Sequence, residues 1–205
     1  MVAVDEITDK HLKRARVRGA PSTIPGSTGM VGSYDLREVQ RAVMRALSIE
    51  LDKNFTVEEL RESQTKLAQT AAVQELNVLE PALIALHADP MEDVPHEWTW
   101  ELLLPVRGRA RADEAAGIKL ARVHGGMYVE TVTTKGFPDL RNVYTYLLGH
   151  YLPSHKQQLT RPIIYHRALD GLESHDPEKL TLAIYIPYYL SLKSPVKLVA
   201  RDEMG

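Results

Sequence analysis

The chain has 205 residues, with 25 Lys and Arg against 27 Asp and Glu, and 44% of its residues are apolar. A chain of this length can bury a hydrophobic core without the help of disulfide bonds or metal ions. Its formal net charge of -2 argues against a general nucleic-acid binder. The chain contains no cysteine, which excludes disulfide bonds, cysteine nucleophiles and thiolate metal ligands. Acidic residues stand where a signal peptide needs an apolar run, so we expect a soluble, cytoplasmic protein that does not engage a membrane.

The aromatic residues are unusual in type and in placement. There are nine Tyr but only two Phe and two Trp. Apart from Tyr34, every Tyr and Trp lies between Trp98 and Tyr189. A plain hydrophobic core does not require the polar tips of tyrosine. Combined with the internal repeat described below, this placement predicts a ligand cleft built mostly by the second half of the chain.

Residues 1–14 are polar and predict a leader segment. The stretch that follows holds a G-x-x-G-x-x-G series beginning at Gly26, which we interpret as turns because a dinucleotide-binding loop needs G-x-G-x-x-G. Segment 36–51 has apolar residues at spacings of three and four, which predicts an amphipathic helix. A second helix is predicted over 56–76, because its first residues T-V-E-E form a capping box.

Strand-like apolar runs dominate the rest of the chain. They lie at 82–89, at 98–106, on both sides of the Gly125-Gly126 pair, at 162–169 and at 180–188. A third helix is predicted from about Asp139 to Tyr151, where Pro153 stops it. The charged, Ala-rich stretch 107–117 is predicted to connect two halves, and residues 191–205 form a tail without a period.

The two halves resemble each other. Aligning Pro105 with Pro187 pairs Glu101 with Ala183, and similar short runs precede both strands at matching distances. A similarity at fixed order is the signature of an internal repeat. We therefore predict an α+β fold of duplicated strand-helix-strand-strand units with pseudo-two-fold symmetry.

The first unit is predicted over 15–106 and the second over 118–190, in one compact domain. The surplus length of the first unit is about the size of one helix, so we interpret the helix at about 53–76 as an insertion into it. A ligand cleft is expected between the halves, since such junctions commonly hold ligand sites. The purpose of the inserted helix is open.

Alternation in the two final strands separates their faces. The residues predicted to pack beneath the helices are Trp100, Leu102, Leu104, Leu182, Ile184 and Ile186. The opposite faces present Thr99, Glu101, Leu103, Thr181, Ala183 and Tyr185. This second face mixes polar and apolar groups, as expected of a cleft.

Five short motifs carry a resemblance to a known family. They are G-S-Y-D at 32–35, A-L-I-A-L-H-A-D-P at 82–90, E-L-L-L-P-V at 101–106, H-G-G-M-Y-V at 124–129 and A-I-Y-I-P-Y at 183–188. In this order and spacing the chain resembles the GyrI-like small-molecule-binding family. The same domain is the effector-binding half of multidrug-responsive MerR-type and AraC-type transcription regulators.

The resemblance implies a duplicated α+β fold with an aromatic cleft for lipophilic, often cationic, compounds. Family members often carry an acid just before the I-Y-I-P run, where this chain has Ala183. Glu101, at the equivalent position of the repeat, is then expected to supply the charge. The chain resembles a stand-alone version of the domain, for which we expect no direct nucleic-acid binding.

The predicted ligand-binding residues share the mixed face or lie beside it. They are Trp98, Glu101, Leu103, Tyr128, Tyr165, His166, Ala183 and Tyr185. The ligand is expected to be a lipophilic small molecule, aromatic, cationic or both. For Glu101 the alternative is a structural ion pair with an arginine, because an unpaired buried carboxylate is costly. We expect no metal site and no cofactor, and a homodimer is compatible with the sequence.

Two other functions are open from the sequence. Some GyrI-like proteins hydrolyse cyclopropanoid natural products; here Glu101 or Glu130 would deprotonate the water while Tyr128 or Tyr185 polarises the substrate. Haem binding is the second alternative, and it would need an axial histidine such as His166. A binding protein is the favoured interpretation.

Overall fold

The computed structural model describes residues 34–93 and 97–190. The strands are β1 Arg37–Arg41, β2 Met44–Leu51, β3 Asn77–Val78, β4 Leu83–His87, β5 Thr99–Arg107, β6 Lys119–Val123, β7 Gly126–Thr133, β8 Gln157–Leu159, β9 Ile164–Asp170 and β10 Thr181–Leu190. The helices are α1 Val57–Val73 and α2 Leu140–Tyr146, the latter continued by a π-helical turn, Leu147–Tyr151, and a last turn, Leu152–Ser154. The predicted leader, glycine series and tail lie outside the described residues.

The strands form one antiparallel sheet, which together with the helices confirms the α+β class. Its order is β1-β7-β10-β9-β4-β5-β2-β6, with β3 added to β5 and β8 added to β10. The predicted strands at 82–89, 98–106, 162–169 and 180–188 are all present, as are the two around Gly125-Gly126. Pro105 lies inside β5, which continues to Arg107.

The helix predicted over 36–51 is wrong, because this segment forms β1 and β2. Leu47 and Leu51 are four residues apart, a spacing that places side chains on one face of a strand as well as of a helix. Val43, one of the apolar residues of this spacing, is exposed in the two-residue connection between the strands. The described part of the first half therefore contains one helix, α1, rather than a helix plus an inserted one.

Helix α1 begins as predicted. The Thr56 hydroxyl accepts a hydrogen bond from the Glu59 amide, and the Glu59 carboxylate accepts one from the Thr56 amide. Pro153 does not stop the second helical stretch but sits in its final turn. Among the described residues, no helix combines the length and apolar composition needed to cross a bilayer.

The two ends of the sheet meet at one corner. Only two residues separate β1 from β2, and two separate β6 from β7, although each pair of strands is far apart in the strand order. Gly125, in the second connection, lies so close to the first that a Cβ atom there would stand 2.8 Å from the Val43 amide nitrogen. The sheet must therefore curl, and one of its faces becomes concave.

Each face of the curled sheet holds its own apolar cluster. The convex face packs against α1 and α2, and it includes all six residues predicted to lie beneath the helices. We call the other side the concave face; its buried cluster consists of Ala46, Leu83, Ala85, Leu103, Val123, Tyr128, Tyr165, Ala183 and Tyr185. Alternation along the strands thus separates a helix-covered core from a second, tyrosine-rich one.

The turn before α2 generates a test of the fold. Gly136 has φ 61° and ψ -153°, a conformation that only glycine adopts readily, and a Cβ atom there would lie 1.7 Å from the Pro177 carbonyl oxygen. We expect Gly136→Ala to lower the free energy of unfolding by more than about 2 kcal/mol in urea titrations.

Gly117 provides the matched control. It also has a positive φ, 69°, but a Cβ atom there would meet nothing within 4 Å. Gly117→Ala should therefore cost only the backbone strain, about 1 kcal/mol. Equal losses for the two variants would show that the contact with Pro177 does not constrain the fold.

Candidate functional site

One row of paired residues runs across the concave face from edge to edge. In strand order it contains Arg37, Glu130, Tyr185, Tyr165, Ala85, Glu101 and Glu50. Because side chains at paired positions of a sheet point to the same face, this row brings together residues from seven strands. The register thereby collects most of the site predicted from the sequence.

Three tyrosines form the centre of the concave face. Tyr128, Tyr165 and Tyr185 are all buried, and the rings of Tyr128 and Tyr165 lie 6.1 Å apart. The Tyr128 hydroxyl donates to the His124 carbonyl oxygen at 2.7 Å, and the His124 amide donates to the Tyr165 hydroxyl at 3.0 Å. These bonds tie two of the rings to the connection between β6 and β7.

Burial governs the protonation of these tyrosines. It raises the pKa of Tyr185 to about 12 and raises the pKa of Tyr128 and of Tyr165 above the ordinary value. Their hydroxyls are therefore neutral at physiological pH. Each ring combines an apolar body with a neutral hydroxyl, and the hydroxyls of Tyr128 and Tyr165 already bond to the backbone of His124.

Glu101 lies toward the β2 side of the row and pairs with a histidine. The His87 Nε2 donates to the Glu101 carboxylate at 3.0 Å, and both side chains are partly exposed. Burial raises the pKa of Glu101, but the hydrogen bond from His87, with Ser48 and Lys119 nearby, outweighs it, so the pKa is lowered. Glu101 is thus an ionised carboxylate in contact with solvent. Its partner is a histidine, and not an arginine as in the structural ion pair that the sequence left open.

Glu130 sits on the other side of the tyrosines and is held by an arginine. Arg37 donates to both carboxylate oxygens, from Nε at 2.7 Å and from the terminal nitrogen at 2.5 Å. The Glu130 side chain is 4% exposed, so this is a buried carboxylate matched by a forked partner. Its oxygens are engaged, which leaves Glu130 poorly placed to take a proton from water.

Two more arginines lie over the Tyr185 ring. The guanidinium carbon of Arg41 is 4.7 Å from the ring centroid, and that of Arg167 is 5.7 Å away. Both distances are within the range of cation–π attraction. Arg41 also forms an ion pair with Glu80, which reaches in from the loop between β3 and β4. The Tyr185 ring is therefore already covered by positive charge.

The structure brings together most of the predicted ligand residues but separates two of them. Leu103, Ala183 and the three tyrosines belong to the buried cluster of the concave face, and Glu101 lies beside them. Trp98 instead contacts Trp100 and Tyr144 on the convex side, where its ring nitrogen donates to the Asp93 carbonyl oxygen at 3.3 Å. It stands two residues before Trp100, and alternation along an extended segment places both rings on the helix-covered side.

His166 is also on the convex side, completely buried beneath α2. Its Nδ1 donates to the Ile84 carbonyl oxygen at 3.0 Å, and its Nε2 accepts a hydrogen bond from the Tyr144 hydroxyl at 2.6 Å. It neighbours Tyr165 in sequence, and adjacent strand residues point to opposite faces. Both ring nitrogens are engaged in the core, so His166 is not available as an axial haem ligand.

Sequence reasoning missed four charged residues of the concave face: Arg37, Arg41, Glu80 and Arg167. The two on β1 were hidden by the mistaken helix; read as a strand, Arg37, Val39 and Arg41 alternate onto one face. Arg167 carried a usable signal, because it stands two residues after Tyr165 in a predicted strand. His87 was missed because its contact with Glu101 depends on how β4 pairs with β5.

Comparisons with known proteins identify the fold. No protein-family model matches the chain, and no curated protein matches it by sequence. Among solved structures, the C-terminal domain of EcmrR matches with a TM-score of 0.58 and 17% identity, covering 76% of this chain and 98% of that domain. A hydrolase from Listeria innocua matches with a TM-score of 0.52 and 13% identity, covering 75% of this chain and 91% of the other.

An uncharacterised conserved protein from Listeria innocua also matches, with a TM-score of 0.53 and 12% identity over 75% of this chain and 92% of that one. These likenesses confirm the resemblance predicted from the sequence at the level of architecture. The chain has the GyrI-like fold.

The buried histidine generates a prediction about pH. Burial lowers the pKa of His166 from 6.5 to about 4, whereas the unfolded chain binds this proton near pH 6.5. Its contribution to stability is complete above pH 6.5 and is lost as the pH falls toward 4. We expect the free energy of unfolding to drop by about 2 kcal/mol from this group between about pH 7.5 and about pH 5.

Urea titrations across this pH range measure the effect. The His166→Gln variant should show a shallower dependence on pH, whereas replacing the exposed His175 by Gln should leave the wild-type slope unchanged. Titration of the His166 ring by NMR in the wild-type protein tests the same point without a substitution. A protonation midpoint above about pH 6 would contradict it.

Proposed function

We propose that the concave face binds a small molecule with a planar apolar body, seated against Tyr128, Tyr165 and Tyr185. The observation that carries this proposal is the segregation of these three rings into a cluster separate from the helix-covered core. Aromatic rings offer large contact areas with little side-chain entropy to lose, which suits recognition of flat ligands.

The polar atoms of the concave face support a binding role. Its buried positions include the Nε atoms of Arg41 and Arg167, neither of which has a hydrogen-bond partner among the described residues. In a purely structural core, buried polar groups are almost always satisfied. Unsatisfied donors next to tyrosine rings are the groups that a ligand would use.

A duplication would place this site between two equivalent units, as the sequence predicts. Strands β6, β7 and β10 each begin 82 residues after β1, β2 and β5, respectively. The pairings agree: β2 joins β5 as β7 joins β10, and β1 pairs with β7 as β6 pairs with β2. In this correspondence α1 is the counterpart of the helical stretch that begins at Leu140, so we no longer propose it as an insertion.

The correspondence keeps the predicted pairing of Glu101 with Ala183, since both lie at offset 82. It also pairs Tyr185 with Leu103 and Tyr128 with Ala46, so the second unit contributes the rings and the first contributes smaller apolar groups. The proposed ligand therefore lies against an asymmetric surface. Such a division would account for the tyrosine excess of the second half.

Hydrolysis is the second candidate function, and the contact between His87 and Glu101 favours it. The pair is partly exposed, and its carboxylate can orient the imidazole for proton transfer. In water addition to a strained cyclopropane, the hydroxyl would bond to one ring carbon while the breaking carbon–carbon bond takes up a proton. One of the proteins with a similar structure is described as a hydrolase. Glu130, the other acid considered, is clamped by Arg37.

The binding proposal predicts that naphthylmethanol, a neutral planar probe, binds saturably in isothermal titration calorimetry. Tyr185→Leu removes a central ring and should weaken binding roughly three- to tenfold, the loss expected for one aromatic contact. Tyr189→Leu is the matched control, because this exposed tyrosine of the same strand hydrogen-bonds Gln158 at the surface. Equal weakening by both variants, or no binding at about 1 mM probe, would contradict the proposal.

The hydrolase candidate predicts turnover of a duocarmycin-type cyclopropane, seen in mass spectrometry as a product heavier by one water. Glu101→Gln should abolish turnover, because the amide cannot hold the imidazole as its carboxylate does. Glu130→Gln should retain most of it, provided its folding is verified. An unchanged substrate mass at stoichiometric protein would exclude this candidate.

A further inference from the structure

We propose that the concave face selects aromatic anions, such as aromatic carboxylates, rather than cations. This inference rests on the proposed binding function and assigns the charge of its ligand. The cationic preference expected from the sequence placed the key acid at Glu101. The charges around the tyrosines favour an anionic ligand instead.

The strongest feature is the pair of guanidinium groups over Tyr185. Arg41 and Arg167 approach this ring at 4.7 Å and 5.7 Å, so the position where a ligand cation would gain cation–π attraction is already taken. A second cation would have to displace an arginine or share the ring with two like charges. An anion meets two forked donors instead.

Both arginines have unused hydrogen-bonding capacity. Their Nε atoms are buried without a hydrogen-bond partner in the described part of the chain. A guanidinium group binds a carboxylate through parallel N–H donors, and such charge-assisted bonds are about twice as strong as neutral ones. A ligand carboxylate would therefore satisfy donors that the protein itself leaves unsatisfied.

Glu80 shows that the arginines of this site can hold a carboxylate. Its carboxylate reaches from the loop before β4 to pair with Arg41, and its side chain is 19% exposed. Burial raises the pKa of Glu80 although Arg41 and Arg167 both act to lower it, so the two arginines do not fully repay the cost of burying this carboxylate. The contact shows that a carboxylate fits against the Arg41 guanidinium group at this position.

The acids nearest to the tyrosines are already matched. Glu130 is held by Arg37 through two hydrogen bonds, and Glu80 pairs with Arg41. Arg167 forms no salt bridge with any described residue, although it lies near enough to Glu80 to help lower its pKa. Arg167 faces Ala183 across the β9–β10 pair, and its guanidinium group lies over the neighbouring Tyr185 ring. Glu101, beyond Ala85 in the row, is the acid that a cationic ligand would have to use.

Three naphthalene probes that differ in charge test this inference: naphthoate, naphthylmethanol and naphthylmethylammonium, each titrated calorimetrically into the full chain at about pH 7. We expect naphthoate to bind at least about tenfold more tightly than the neutral probe, and the ammonium probe to bind more weakly than both. Arg167→Met should lower naphthoate affinity about tenfold and change naphthylmethanol affinity by less than about threefold.

Two control variants separate the site from general charge effects. Arg122→Met removes one positive charge from an exposed position of β6 and should leave the order of the three probes unchanged. Arg167→Lys should give an intermediate naphthoate affinity, since charge is kept and the fork is lost.

The outcomes are distinguishable. Tightest binding by the ammonium probe, lost in Glu101→Gln, would overturn the charge assignment and leave the binding function standing. Equal effects of Arg167→Met and Arg122→Met would overturn it as well, because the anion would then sense only net charge. Failure of all three probes to bind would instead contradict the proposed function itself.

Discussion

The antiparallel pairing of β4 with β9 is the interaction on which both faces of the sheet depend. It sets Ala85 opposite Tyr165, and thereby places tyrosine on the concave face and His166 among the helix-covered residues. A slip of one residue would exchange these two side chains. The hydrogen bond from His166 to the Ile84 carbonyl oxygen, with Tyr144 on the other ring nitrogen, satisfies the histidine only in the observed register. A buried polar contact here selects one alignment of an otherwise apolar junction.

The charged side chains divide the concave face into two regions of different character. On one side of the tyrosines, arginines outnumber the acids that they pair with; on the other, Glu101 shares a solvent-accessible contact with His87. Tyr165 and Ala85 separate the two regions along the same row. A ligand that spans this row would meet guanidinium groups at one end and an ionised carboxylate at the other.

The sequence predicted the strands well because their apolar runs are long and their alternation is regular. It failed at 36–51, where a spacing of four satisfies both a helix and a strand, and that error hid Arg41 from the candidate site. The tyrosines were accessible to reasoning from face alternation. The contacts of Glu80 and His87 were not, because they depend on loop paths and on strand register, which local patterns do not encode.

The exchange of edge strands has a consequence for how this chain folds. β1 adds to β7 and β6 adds to β2, so each half of the sheet is completed by a strand from the other half. Neither half can bury its edge until most of the chain has been synthesised and the distant partner has arrived. Contacts of such long sequence separation slow folding, because the loop must close before any pairing energy is gained. We therefore expect both halves of the sheet to unfold together.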